Sequence, residues 1–193
     1  MFKLLFLCYL FELTVSELED CGRANLELGS TLFAITGDDS EEVKAPWIAA
    51  VGAFRNSEDG NEEKFVVTCS GTILSRTHVI TAAHCFDDIR APFTATVGGV
   101  QHRISTVLKN PCFSFKNDGP NGMDLALIKL DTPSSQPPQS IYRFNDEVGK
   151  TITLVGWGDL CVAGNHHPSN CRGGNRFRTG KNVINGINEN TLQ

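Results

Sequence analysis

At 193 residues the chain is long enough for one domain with a substantial core, or for two small units sharing an interface. It is 40% hydrophobic and 20% charged, carries a net charge of −5, and shows no low-complexity tract, internal repeat or Lys/Arg cluster. This balance excludes a disordered or fibrous chain and argues against nucleic acid or an anionic membrane surface as partner.

The first residues read as an export signal. Lys3 supplies the positive end, residues 4–11 (LLFLCYLF) form an apolar run too short to span a bilayer, and Thr14-Val15-Ser16 offers small residues for cleavage. Glu12 lies unusually close to the apolar run, and a buried N-terminal helix is the competing reading. The expected division is a signal over residues 1–16, an acidic leader over 17–34 and a folded region over 35–193. Nothing later reads as a membrane anchor, so the chain is expected outside the cell. Loss of Cys8 with the signal leaves Cys21, Cys69, Cys85, Cys112, Cys161 and Cys171. An even number in an oxidising compartment points to disulfides, with their connectivity open.

Short β candidates follow at residues 47–54 (WIAAVGAF), 65–74 (FVVTCSGTIL), 78–82 (HVITA), 93–97, 103–108 and 125–130. Residues 131–140 (DTPSSQPPQS) are rich in Pro and Ser and predict a linker between two packed units. Beyond it residues 151–155 predict a strand ended by Gly156-Trp157-Gly158, and residues 159–174 are loop-like. Many short strands with turn signals and no long helical period predict an all-β barrel or sandwich.

The chemistry concentrates in residues 69–85, CSGTILSRTHVITAAHC. This stretch predicts a strand, a turn and a returning strand with a cysteine at each end. A disulfide between them would close about fifteen residues, worth about 3 kcal/mol by loop entropy, and would hold His84 on a rigid platform. An imidazole that transfers protons must keep its orientation, so a cross-link beside it has a use. One histidine among five proves nothing, because a second group must set its tautomer. Asp124, opening MDLALIKL at residues 123–130, is the candidate. An Asp at the apolar start of a strand is drawn into partial burial, where it needs a partner such as a protonated His84. A turn cap after GPNG is the alternative for Asp124.

TAAHC preceded by CSGTIL, then DLALIKL, then VGWG resembles the trypsin/chymotrypsin-like serine endopeptidases in order and spacing. ITGDDSEEVKAPW, residues 35–47, is similar to the mature N-terminus of that family. The resemblance covers residues 35 to about 158. It implies two antiparallel β-barrels, the first over about 35–131 and a second, incomplete one over 141–193, with an active site between them. It further implies peptide-bond hydrolysis with His84 as general base and then general acid, oriented by Asp124. The family's cysteine pair beside this histidine maps onto Cys69 and Cys85. Polypeptide substrates, protein inhibitors, a monomeric state and no cofactor are implied with it.

The chain departs from that family in one central respect. No serine stands in a Gly-x-Ser-Gly setting, and the last serine is Ser169. The nucleophile, the oxyanion-hole amides and the base of the specificity pocket are therefore expected beyond residue 193. A catalytically inactive secreted homologue acting as a binding or regulatory protein is the alternative. Ala34, not a basic residue, precedes Ile35, which makes activation by a trypsin-like cut there doubtful. Cys21 is expected to tether the leader to the body, with Cys112 as a candidate partner. Cys161, His166, His167 and Cys171 have the donor types of a zinc site but not its spacing. A Cys161–Cys171 disulfide is the plainer expectation, and no metal is expected.

Overall fold

The structure, a computed structural model, describes residues 45–57, 62–87, 92–113, 115–116, 119–120, 124–161, 171–188 and 191–192. The strands are β1 (Ile48–Asn56), β2 (Glu63–Ser75), β3 (His78–Thr81), β4 (Phe93–Val97), β5 (Val100–Lys109), β6 (Phe115–Lys116), β7 (Gly119–Pro120), β8 (Ala126–Leu130), β9 (Thr151–Cys161), β10 (Cys171–Val183), β11 (Ile187–Asn188) and β12 (Thr191–Leu192). A single 3-10 turn, Ala83–Phe86, interrupts the all-β pattern among the described residues.

Six strands close into an antiparallel barrel in the order β1-β2-β3-β8-β5-β4. Closure leaves no exposed strand edge and encloses a core of small and branched side chains. Val51, Ile73, Val79, Val97, Ile128 and Leu130 are fully or almost fully buried within it. Six consecutive residues at the start of β1 are buried, which alternation alone does not produce. The cause is that β9 packs on β1 and β2, so the outer wall of the barrel is covered there too. At the β4–β5 turn Gly98 and Gly99 take φ of 56° and 81°, the left-handed pair that a two-residue hairpin requires.

The second unit is a partial sheet, the long antiparallel hairpin β9–β10, followed by the short β11–β12 pair. Here the structure corrects two expectations. Strand β9 does not end at Gly156-Trp157-Gly158 but runs through them to Cys161, because β10 pairs with it as far as Cys171 opposite Cys161. The expected loop over 159–174 is thus strand at both ends. Partnering by a strand distant in sequence overrides the local turn signal.

The Pro/Ser-rich stretch over 131–140 runs between β8 of the barrel and β9 of the second unit, and it is tied to the barrel on the way. The Ser134 amide donates to Arg76 O at 2.7 Å and the Gln139 amide to Ile73 O at 2.8 Å. Arg76 Nε returns a bond to Ser134 O at 3.2 Å. Ser134 is 1% exposed, so this extended segment is a strap on the barrel wall. Its amides still need acceptors: Arg76 O in the β2–β3 turn takes that of Ser134, Ser134 Oγ that of Gln136, and Ile73 O on β2 that of Gln139.

Candidate active site

Strand β3 ends at Thr81, Ala82 is extended, and the chain then tightens into the 3-10 turn that carries His84. Three contacts hold this turn. Thr81 Oγ1 donates to Ser70 O at 2.8 Å. Cys85 is bonded to Cys69 of β2, with the Cα atoms 6.2 Å apart. The Asp87 amide closes the turn on His84 O at 3.2 Å. Lys109 Nζ, at the end of β5, pairs with Asp87 Oδ1 and braces the outer side.

Asp124 is brought to His84 by strand register. Thr81 of β3 is paired with Ala126 of β8, so the residue three past the end of one strand faces the residue two before the start of the other. The two are 40 residues apart in sequence, yet His84 Nδ1 lies 2.6 Å from Asp124 Oδ2. The His84 backbone amide donates to Asp124 Oδ1 at 2.9 Å. One carboxylate therefore holds both the ring and the main chain of the same residue, which fixes the ring's direction as well as its position. The Asp124 side chain is 20% exposed and that of His84 is 45% exposed. The carboxylate sits in a partly dry setting while the ring keeps an open side, which a proton-transfer group needs.

The chemistry follows from the contact. A nitrogen 2.6 Å from a carboxylate oxygen is the protonated one, so the neutral ring presents Nε2 as its lone-pair nitrogen. Nε2 lies 3.9 Å from Sγ of both Cys69 and Cys85, alongside the bridge. Cys69, His84 and Cys85 bring donor atoms within 4.8 Å of one another, but both sulfurs are consumed in the disulfide and offer no thiolate to a metal.

Two further histidines have structural roles. His78 Nδ1 lies within hydrogen-bond distance of Ser75 Oγ at 3.1 Å and of Thr77 Oγ1 at 3.0 Å in the β2–β3 turn. Burial, and then the nearby Lys129 charge, push its pKa below the ordinary value. His102 is 5% exposed and Nδ1 pairs with Thr132 Oγ1 at 2.9 Å. His166 and His167 lie outside the described residues, as do the side chains of Cys161 and Cys171. Cys112 is disulfide-bonded as well. The Asp87–Lys109 brace and the Ser70 contacts had no signal in the sequence, because both join residues from different elements.

The Trypsin family profile matches residues 34–192. The chain is 29% identical over 170 residues to the suppressor of tumorigenicity 14 protein homolog of Bos taurus, across 75% of this chain and 18% of that protein. It is 30% identical over 120 residues to the thrombin-like enzyme contortrixobin of Agkistrodon contortrix contortrix, across 52% of this chain and 50% of that one. It is 28% identical over 143 residues to the thrombin-like enzyme flavoxobin of Protobothrops flavoviridis, across 68% and 51%. The chain thus spans about half or less of the length of these relatives. Among solved structures, neuropsin, a serine protease expressed in the limbic system of mouse brain, superposes with a TM-score of 0.55 at 20% identity. That superposition covers 73% of this chain and 60% of neuropsin, and at this identity it speaks for the fold. With a profile match over four-fifths of its residues, the chain belongs to the trypsin family.

Proposed function

We propose that the protein is a secreted serine endopeptidase in which His84 is the general base and then the general acid, and Asp124 orients it. The observation that carries this reading is the double hold of one carboxylate on His84, at 2.6 Å to Nδ1 and 2.9 Å to the backbone amide. In the reaction Nε2 takes the proton from an attacking serine hydroxyl and later delivers it to the leaving amine. Asp124 keeps the tautomer and offsets the charge of the imidazolium. Residues 1–16 act as the export signal, 17–34 as the leader and 35–193 as protease domain. Substrates are polypeptides and inhibitors are proteins, and the enzyme works as a monomer.

No serine of the 193 residues stands in a Gly-x-Ser-Gly setting, so this reaction requires a serine from outside them. These residues alone are expected to be inactive, since loss of the serine from such a triad costs roughly 10⁶-fold in turnover. The same observation favours a second reading, a non-catalytic homologue that binds a partner. A fluorophosphonate probe applied to the protein purified from its native source separates the two. A covalent adduct on a serine, lost in His84→Ala, supports the peptidase. Absence of an adduct on folded, disulfide-intact protein replaces it with the binding protein.

A further inference from the structure

Strand β9 packs on β1 and β2, and at Gly156 the approach leaves no room for a side chain. A β-carbon there would lie 2.7 Å from Ser70 Oγ and 3.2 Å from Ser70 Cβ. The next residue uses this approach. The Trp157 amide donates to Ser70 Oγ at 2.7 Å, and the Ser70 hydroxyl reaches Trp157 O at 3.4 Å. One small hydroxyl on the barrel thus engages both main-chain polar groups of a residue 87 positions away on the hairpin.

Ser70 is tied to the His84 turn as well. Its carbonyl accepts the Thr81 hydroxyl at 2.8 Å, three residues before His84. Its neighbour Cys69 is bonded to Cys85, one residue after His84. The side chain of Ser70 therefore grips the second unit, its carbonyl holds the leading end of the segment that presents the imidazole, and the adjacent Cys69 holds the trailing end through the disulfide. We propose that Ser70 is a positioning residue, a latch that sets the register of β9 on β2 and through it the placement of His84 relative to the second unit. The inference rests on the proposed function only in regarding His84 as catalytic. The latch itself is a property of the fold.

The test uses the isotopically labelled full chain with its disulfides formed and needs no enzymatic activity. In Ser70→Ala, backbone exchange at Trp157 accelerates at least tenfold. The low-field ring proton that His84 shares with Asp124 shifts or broadens, while the methyl resonances of Val79 and Ile128 in the core stay in place. A double-mutant cycle provides a second measurement. Gly156→Ala lowers Tm strongly beside the native serine and at most half as much when combined with Ser70→Gly. Unchanged Trp157 exchange, or additive effects in the cycle, overturns the latch. Faster Trp157 exchange with an unmoved His84 proton overturns the positioning role, since the seam then loosens without reaching the turn. Failure of the probe experiment above would remove the peptidase reading and leave all these readouts interpretable.

Discussion

At the scale of single residues, the site depends on one carboxylate serving two donors on the same residue. Asp124→Asn keeps the shape but loses the charge and sets an amide against Nδ1, which favours the wrong ring tautomer. On the proposed peptidase reading, peptide hydrolysis falls roughly 10⁴-fold, measured as kcat on a chromogenic peptide, with Tm little changed. His78 makes a separate prediction. Its folded-state pKa lies below the ordinary value of 6.5, because burial and then Lys129 disfavour the charged ring. The unfolded chain consequently binds the proton more readily, and stability present above the unfolded value is lost as pH falls through the folded one. Thermal unfolding followed from about pH 8 to about pH 5 should show a drop in Tm that is smaller in His78→Gln. Of these residues His84 was legible from its neighbours alone, since TAAHC is a specific string. Asp124 became persuasive only beside it, and the hydroxyls that hold His78 are local enough to read from SRTH.

At the scale of elements, the strand–turn–strand from Cys69 to Cys85 is the platform. Its disulfide spans a separation of 16 residues. Replacing both cysteines by serine should cost about 3 kcal/mol, which for a domain of this size lowers Tm by roughly 6–12 °C. Calorimetry without reductant checks this, and an unchanged Tm would show that β2–β3 pairing alone holds the turn. Most barrel strands were readable because their sides alternate or run apolar: residues 93–97 match β4, and residues 125–130 match β8 to within one position. The misreading came where a partner from elsewhere changed the outcome. Gly156-Trp157-Gly158 carries a turn signal, yet the β10 partner keeps it in strand. Residues 131–140 carry a linker composition and lie between β8 and β9, while Arg76 O and Ile73 O accept the amides of Ser134 and Gln139.

At the scale of the whole molecule, stability rests on a single closed barrel filled by modest side chains. Ile128 is completely buried in the core cluster of the closed barrel, so Ile128→Ala leaves a cavity that the wall cannot readily collapse to fill. Chemical denaturation should register a loss of about 2–5 kcal/mol, a large part of the stability of such a domain. A loss below that range would mean the barrel relaxes more than its closure suggests. The second unit leans on this barrel through β9, and among the described residues no helix is long and apolar enough to cross a membrane.

The sequence by itself determined the all-β class and the rough limits of most barrel strands, and it singled out His84 as a candidate. These depend on side-chain periodicity and on residues adjacent in the chain. It also marked Cys69 and Cys85, which stand at the two ends of one short excursion. Only the tertiary structure decided that a carboxylate 40 residues away grips both the ring and the amide of His84, that the Pro/Ser stretch straps the barrel, and that Ser70 meets Gly156 and Trp157 across the seam. The first is set by the register of β3 on β8, and the other two by the packing of distant segments on the barrel wall. Register is a relation between segments, so no one segment carries it.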